Sequence, residues 1–293
     1  MIKKTISLIL TAWIGLSSAL IAQSTTEKPN IVVIIADDLG YADMSFLPQA
    51  PADVKHFKTP GLDRLAATGT YFQNAYGTSP ICSPSREGMI TGRYQQRWGS
   101  YWYSEGGLPQ NERTLPESLS AAGYATAKFG KNHFNGGPKV FPTLHGFDKY
   151  LGFNNHTWDY IRLSAKDVEA YNTRKDFKGF GKSQVLGPLS YGEGQGTKEE
   201  QAKKVSYENS FTTEIFSNEA VKYIKEAKGG KPFYLHVSHN AVHMPTYIVE
   251  KMWAERVGTP YTPWDRDAKE WAFPYWDPDK EPHREFHLKW GHM

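Results

Sequence analysis

Cysteine is nearly absent from this chain: Cys82 is the only one in 293 residues. Proteins of oxidising compartments usually carry paired cysteines, and a single thiol cannot form a disulfide within the chain. A lone cysteine in an exported protein is therefore either a tolerated free thiol or a group that is used in chemistry. The cysteine count alone leaves both interpretations open.

Net charge is also low. The chain carries 34 Lys and Arg residues against 31 Asp and Glu residues, a formal charge of +3. Loss of Lys3 and Lys4 with an N-terminal leader would reduce this charge to about +1. A charge so close to zero argues against nucleic acid or a membrane surface as the main partner.

Apolar runs of membrane-spanning length are missing as well. A basic segment, residues 1–4, precedes a mostly apolar stretch over residues 6–21, and the small residue Ala22 follows. The stretch is shorter than the roughly 20 residues that a spanning helix needs. We therefore expect a signal peptide over residues 1–22 and a mature chain over residues 23–293, periplasmic or secreted, with no membrane anchor after cleavage. An uncleaved N-terminal anchor is the alternative.

The segment around Cys82 has the features of a helix start. Ser83 can cap the helix, Pro84 fits the first helical position, and Gly92 can end the helix about two turns later. A helix start presents free backbone N–H groups, which favour anions and deprotonated side chains. Arg86 follows four residues after Cys82, so its guanidinium can turn back toward the same place. The pattern predicts a nucleophile and a fixed positive charge in one small volume.

Paired acids follow the first predicted strand. The β-branched run over residues 31–35 predicts a strand that is buried on both faces, as in a parallel sheet. Asp37 and Asp38 then lie at its carboxyl end, where open α/β sheets place their ligands. Two carboxylates there suit a hard divalent cation, but they could equally form a turn or a helix cap.

Helix and strand signals alternate along the rest of the chain. Further strands are predicted over residues 124–129 and 232–238. Helical patterns begin at Thr59, at Thr114 and near Phe216. Strands separated by helices predict an α/β fold with a mostly parallel, mixed central sheet and helices on both faces. Residues 166–197, rich in Lys, Gly and Ser, are interpreted as a surface insertion.

Four elements of the sequence resemble a known family. Residues 82–86, Cys-Ser-Pro-Ser-Arg, resemble the Cys-x-Pro-x-Arg signature of the type I sulfatases, which belong to the alkaline phosphatase superfamily. The other three elements resemble the family's Asp-Asp pair after the first strand, its Gly-Lys-x-His element and its histidine before x-Pro. They are Asp37 with Asp38, Lys131 with His133, and His243. The four elements occur in family order, each at a predicted strand or helix end.

The resemblance implies an alkaline-phosphatase-like sulfatase fold and a sulfuric ester hydrolase activity. It implies that Cys82 is converted to formylglycine, by a formylglycine-generating or an anaerobic sulfatase-maturating enzyme, and that the hydrated aldehyde attacks sulfur with help from Arg86. Asp37, Asp38 and the residue at 82 would bind Ca²⁺, with Mg²⁺ less favoured. The substrate would be a sulfated sugar or polysaccharide, or an aryl sulfate.

The remaining roles follow from the same resemblance. Lys131 would bind the sulfate group, and His133 would take a proton from the second hydroxyl of residue 82. His243 would lie near the ester oxygen, and either His243 or a further lysine of the family would donate a proton to the leaving alcohol. His156 follows a Gly-Phe-Asp segment at residues 146–148 and could contact the sulfate or the sugar. Taken singly, the lysine could be a solvated loop charge and the histidines structural.

An aromatic run after the helix predicted to end at Gly92 has two interpretations. Trp98, Tyr101, Trp102 and Tyr103 could stack on pyranose rings through their faces. They could equally pack under a long loop, because aromatic residues make up 14% of the chain.

Two family elements were not found in the sequence, a late strand and a further lysine that binds the sulfate. No Asp-Asn-Gly or Asp-His-Gly strand, which completes the calcium site in the family, occurs after Met244. The resemblance covers residues 29–245, so we expect an incomplete catalytic domain, truncated before its last strands and C-terminal domain, with an unpaired sheet edge and an uncovered apolar face. The alternatives are a phosphonate or phosphate ester hydrolase with the same signature, and an inactive fragment that binds anions or carbohydrate.

Overall fold

The computed structural model describes residues 27–40, 44–47, 59–103, 105–154, 161–162, 188–207 and 210–243. The chain divides into a unit before Ile31 and a unit from Ile31 onward, and all elements below belong to the second. Its helices are α1 (Pro60–Thr68), α2 (Cys82–Thr91), α3 (Leu115–Ala121) and α4 (Thr212–Glu226). Its strands are β1 (Ile31–Ile35), β2 (Ala125–Lys131), β3 (Lys149–Phe153), β4 (Ile161–Arg162), β5 (Leu189–Glu193), β6 (Lys203–Val205), β7 (Ser210–Phe211) and β8 (Phe233–Ser238).

Six of these strands form one mixed sheet in the order β1-β8-β2-β3-β5-β6. The strands from β1 to β3 in this order run parallel, and β5 and β6 continue the sheet antiparallel. A separate antiparallel pair is made by β4 and β7. The predicted α/β fold with a mostly parallel, mixed sheet is confirmed.

Apolar clusters cover both faces of this sheet. On one face, Phe216 of α4 packs with Phe129 and Leu235 of the central strands. On the other face, Ile90 of α2 packs with Phe147 and Tyr234, and α3 adds to the same cluster. Side chains alternate between faces along a strand, so β8 contributes Leu235 to one cluster and Tyr234 to the other. The predicted helices on both faces are therefore confirmed.

Strand β1 differs from the prediction of a strand buried on both faces. Val32 is 44% exposed and Ile34 is 66% exposed. Among the described strands β1 pairs with β8 alone, so it ends the sheet. A run of β-branched residues indicates a strand, but it does not tell whether a second layer covers each face. The prediction was right about the strand and wrong about its burial.

The predicted surface insertion is wrong at its C-terminal end. Strand β5 pairs with β3, and Leu189 is only 1% exposed. Glycine is typical of loops, so Gly192 favoured the interpretation of this segment as a surface insertion. In this strand a Cβ at position 192 would meet the side chains of Phe141 and Thr143, so the glycine permits close packing.

Three parallel strands end at one edge of the sheet. After β1, the amide of Asp37 donates to the carbonyl of Ala241 over 2.9 Å. After β8, the amide of His239 donates to the carbonyl of Ile35 over 3.0 Å. Lys131 is the last residue of β2. The predicted acid pair, the lysine and the histidine loops thus share the carboxyl edge of the sheet.

Export and membrane attachment concern residues 1–22, which lie outside the described residues. In the described ranges, no helix has the length and apolar content needed to cross a bilayer.

Candidate active site

Helix α2 begins at Cys82 itself. Ile81 precedes it in an extended conformation, and the Ile81 amide donates to the hydroxyl of Ser79 over 3.1 Å. The predicted cap, Ser83, is therefore wrong: it is the second helical residue, and its hydroxyl donates to Glu87 over 3.2 Å. Cys82 is partly exposed. Its side chain leaves the first turn of the helix, where backbone N–H groups have no partner within the helix.

The C-terminal end of α2 agrees with the prediction. Gly92 follows the helix with a φ of 64°, a left-handed conformation that glycine adopts without steric cost. Pro84 occupies the third helical position, so the prediction that it takes the first is wrong. Its missing N–H costs no hydrogen bond within the helix, because the first four N–H groups of a helix have no partner there.

Asp37 is the centre of a buried ion-pair cluster at the carboxyl edge of the sheet. Its Oδ1 accepts from Nη2 of Arg86 over 2.9 Å, and its Oδ2 accepts from Nζ of Lys131 over 2.5 Å. Arg86 also donates to the hydroxyl of Ser238 over 2.6 Å and to the carbonyl of Lys131 over 3.2 Å. The cluster joins α2, β2, β8 and the residues that follow β1.

Two cations share one carboxylate in this cluster. Burial alone would raise the pKa of Asp37, but the positive charges of Arg86 and Lys131 outweigh it and hold that pKa below its usual value. Burial and the charge of Arg86 lower the pKa of Lys131, whereas Asp37 and Cys82 act in the opposite direction. Arg86 and Lys131 therefore leave one positive charge in excess over Asp37, close to the start of α2.

A further lysine lies behind this cluster, on the same strand as Lys131. Lys128 is 1% exposed, and both burial and the charge of Arg86 hold its pKa well below its usual range. Its Nζ donates to Oδ1 of Asn132 over 2.8 Å and lies 4.4 Å from the ring centre of Phe134. Burial, the larger cause, and the charge of Arg86 both disfavour a further positive charge at this position.

The loop after β2 presents His133 beside Lys131. His133 has a φ of 50° and is 6% exposed, and its amide donates to the carbonyl of Asn154 over 3.0 Å. Between the two residues, Asn132 donates to the carbonyl of Val140 over 2.9 Å and to Oδ1 of Asn154 over 2.8 Å. These buried amide bonds fix the left-handed turn that carries His133.

Glu87 connects α2 to this loop. Its carboxylate is fully buried and accepts from the indole of Trp98 over 2.9 Å and from the amide of Asn135 over 3.2 Å, in addition to Ser83. Burial raises the pKa of Glu87, and these hydrogen bonds oppose the shift. The start of α2 and the segment after His133 are thus held to each other through one side chain.

The second predicted acid contacts a histidine. Nε2 of His243 lies 3.4 Å from Oδ2 of Asp38, whose side chain is 57% exposed. The amide of His243 donates to the carbonyl of Asn240 over 3.1 Å, and the Asn240 side chain accepts from the hydroxyl of Thr212 over 2.8 Å. The start of α4 therefore supports the loop that carries His243.

A family model described as Sulfatase matches residues 29–269 of this chain. The match covers most of the chain and includes every residue of the cluster described above. The chain belongs to the sulfatase family. The predicted family resemblance is confirmed.

Curated sulfatases align with only part of their length. Human N-acetylgalactosamine-6-sulfatase is 30% identical over 239 residues, which cover 77% of this chain and 42% of that protein. Human arylsulfatase A is 40% identical over 153 residues, which cover 50% of this chain and 28% of that protein. The chain thus spans less than half the length of these sulfatases.

Solved structures confirm the sulfatase fold. The crystal structure of Ps i-CgsB in complex with k-i-k-neocarrahexaose superimposes with a TM-score of 0.61 at 28% identity, over 90% of this chain and 53% of that chain. The PsFucS1 sulfatase from Pseudoalteromonas sp. gives a TM-score of 0.56 at 27% identity, over 76% of this chain and 46% of that chain.

The predicted calcium site does not follow from the described residues of this sulfatase. Both oxygens of Asp37 are engaged by cationic side chains. Within the described ranges, no group of three or more His, Cys, Asp or Glu side chains is arranged to hold a metal ion. Calcium prefers about 6 to 8 oxygen ligands. These residues alone do not fit the ion, and its assignment to Asp37, Asp38 and Cys82 stays a prediction.

The candidate site contains residues that the sequence analysis missed. They are Lys128, Asn132, Glu87 and Ser238. Glu87 could have been found, because Ser83 and Glu87 lie four residues apart on the predicted helix and can meet on one face. The roles of Lys128, Asn132 and Ser238 follow from their burial and their contacts in the fold, which the sequence pattern does not report. His156 lies outside the described residues, so its substrate role stays a prediction.

Proposed function

We propose that this chain acts as a sulfatase on sulfate monoesters of a carbohydrate, with a formylglycine made from Cys82. On this proposal the protein is exported to the periplasm or secreted, and a maturating enzyme modifies Cys82. A formylglycine at position 82 would supply a nucleophilic oxygen and a second hydroxyl through which sulfate can be expelled. Calcium remains a separate prediction, and no step below depends on it.

The excess positive charge of the buried cluster is the observation that carries the proposal. Among the described residues, Arg86 and Lys131 pair with the single carboxylate of Asp37, so these three side chains have one positive charge in excess beside residue 82. A sulfate monoester carries one negative charge and would balance it. The free N–H groups at the start of α2 favour the same anion. Fixed cations and N–H groups of this kind stabilise charge that develops in a transition state.

The two histidine loops would supply the proton-transfer groups. His133 follows Lys131 in a turn held by buried amides, which suits a base that takes a proton from residue 82. His243 approaches from the end of β8 and suits an acid that protonates the leaving alcohol. These roles match those implied by the resemblance, and their assignment is part of the proposal.

The relatives support a carbohydrate as the leaving group. The human relative is named for N-acetylgalactosamine 6-sulfate, and the Ps i-CgsB structure holds a neocarrahexaose. This support concerns the substrate class only, because the chain spans less than half of the curated relative.

A pair of esters of one alcohol tests the reaction. With protein coexpressed with a formylglycine-generating enzyme, we expect kcat/KM for 4-nitrophenyl sulfate to exceed that for 4-nitrophenyl phosphate by at least about 10-fold. The reason is charge balance: a phosphate monoester dianion would leave one negative charge uncompensated in a buried site. Release of 4-nitrophenol measures both reactions.

Protein made without the maturating enzyme is the control and should hydrolyse neither ester. Faster turnover of the phosphate would contradict the proposal and favour the phosphate ester hydrolase. Absence of turnover from fully modified protein would favour the inactive anion-binding fragment.

A further inference from the structure

Three consecutive aromatic side chains are presented to solvent by the loop after Trp98. Tyr101 is 60% exposed, Trp102 is 47% exposed and Tyr103 is 56% exposed. The rings of Trp102 and Tyr103 lie 5.6 Å apart at an angle of 46°. The exposure of these three residues disagrees with the alternative that they pack under a long loop. We call residues 101–103 the aromatic platform.

The loop that carries the aromatic platform is closed by its own backbone. The amide of Ser100 donates to the carbonyl of Gln95 over 3.3 Å, and the amide of Glu105 donates to the carbonyl of Trp102 over 3.2 Å. Gly106 and Gly107 both have positive φ, and a Cβ at either position would collide with backbone atoms. These contacts restrain the backbone of the described residues around the aromatic platform, which lowers the conformational entropy that binding would cost.

The aromatic platform is attached to both elements that form the sulfatase site. The side-chain amide of Asn135 donates to the carbonyls of Trp102 and Glu105, over 2.9 and 2.8 Å. Asn135 follows His133 by two residues, and its own amide donates to Glu87 of α2. The indole of Trp98 donates to the same carboxylate. The platform is therefore continuous with the His133 loop and with the helix that begins at Cys82.

We propose that the aromatic platform is a subsite for the sugar rings of a sulfated oligosaccharide whose sulfate lies at the start of α2. The inference rests on the proposed sulfatase function. Aromatic faces pack against the C–H faces of pyranose rings, while phenol and indole groups can bond to sugar hydroxyls. Exposed aromatic groups that are hydrogen-bonded to the segment after His133 match a ligand with an apolar ring face and one fixed charge.

The test compares an oligosaccharide with a small ester in the full chain coexpressed with a formylglycine-generating enzyme. In Trp102→Ala and Tyr103→Ala, we expect affinity for a chondroitin 6-sulfate tetrasaccharide or a κ-carrageenan tetrasaccharide to fall about 3- to 10-fold. Hydrolysis of 4-nitrophenyl sulfate should change less than about twofold, since its sulfate does not need the platform. Isothermal titration in the Cys82→Ala background, which cannot hydrolyse the tetrasaccharide, gives the affinity, and 4-nitrophenol release from the matured protein gives the turnover.

Tyr94→Ala is the matched control. Tyr94 is 67% exposed but follows the end of α2 that is opposite to Cys82. It should leave both the titrations and the turnover unchanged. Titration of the desulfated tetrasaccharides removes the contribution of the anion site, and the two platform variants should weaken this binding by a similar factor.

The outcomes separate this inference from the proposed function. If 4-nitrophenyl sulfate is hydrolysed but neither tetrasaccharide binds, or both bind equally well to the wild type and the platform variants, the subsite is wrong and the sulfatase function stands. Equal binding to the wild type and the variants is also the expected result if the natural ligand of the platform is a protein. If no ester is hydrolysed but binding falls in the variants and not in Tyr94→Ala, the subsite stands and the proposed reaction is wrong.

Discussion

Cys82→Ala is expected to lose about 10⁴-fold or more of the turnover of 4-nitrophenyl sulfate, as when a catalytic nucleophile is removed. Alanine cannot be converted to formylglycine, so position 82 would have neither an attacking oxygen nor a hydroxyl to expel sulfate. Arg86 and Lys131 would remain, so binding of the sulfate anion should persist. The loss should therefore appear in kcat, measured with protein coexpressed with a formylglycine-generating enzyme.

Stability provides the internal check on this result. Because Cys82 is partly exposed, its truncation should change the free energy of unfolding by less than about 1 kcal/mol. Met89→Ala is the matched control: it removes a larger sulfur-bearing side chain that is 42% exposed on the same helix, and it should retain turnover. Turnover of Cys82→Ala within tenfold of the wild type would contradict a nucleophile at position 82.

Asp37→Asn is expected to lower the free energy of unfolding by about 3–5 kcal/mol, the cost of removing one partner from a buried ion pair. Asp37 is 5% exposed, and both of its oxygens accept from cations. Asparagine keeps the size but has no charge, so Arg86 and Lys131 would repel each other with no carboxylate between them. Urea denaturation, with the slope checked for change, measures the effect.

A second substitution tests whether the charge cluster is the cause. Lys131→Met should cost less in the Asp37→Asn background than in the wild type, with a coupling of about 0.5–3 kcal/mol, because it removes a cation that has lost its partner. Glu112→Gln, in the exposed ion pair with Arg93, is the control and should cost less than about 1 kcal/mol. Additive losses for Asp37 and Lys131 would mean that the pair does not act as a unit.

Local signals were sufficient to predict the elements that position the site. The helix from Cys82 to Thr91 has a proline near its start and is followed by Gly92. Proline is typical of the first turn of a helix and glycine of the position after its end, so both ends could be predicted from the sequence. Strands β2 and β8 were predicted from short apolar runs, and parallel pairing then places their ends at one edge. The family motifs supplied what these local signals do not contain, the chemical role of each side chain.

Distant contacts could not be predicted in the same way. Asp37 meets Arg86 across 49 residues of sequence and Lys131 across 94, so no local pattern reports that both cations share one carboxylate. For Lys128, it was the burial of the side chain that could not be predicted. A lysine is usually solvent-exposed, and its burial here depends on Asn132 and the aromatic rings that surround it.

Exposure was the property that the sequence predicted least well. The same kind of apolar run is fully buried in β8 and half exposed in β1, because β8 has a strand on each side and β1 ends the described sheet. The aromatic platform posed the same question. Its residues are as suitable for a core as for a sugar subsite, and only their exposure in the folded chain distinguishes the two.

The state of residue 82 in active protein is the most direct test of the central claim that a modified Cys82 performs the chemistry. Trypsin releases residues 65–86 as one peptide. Conversion of the thiol to an aldehyde lowers its mass by about 18 Da. Across preparations with different degrees of maturation, turnover of 4-nitrophenyl sulfate should rise in proportion to the converted fraction and extrapolate to zero. Full turnover from protein whose peptide carries only the intact thiol would contradict the account.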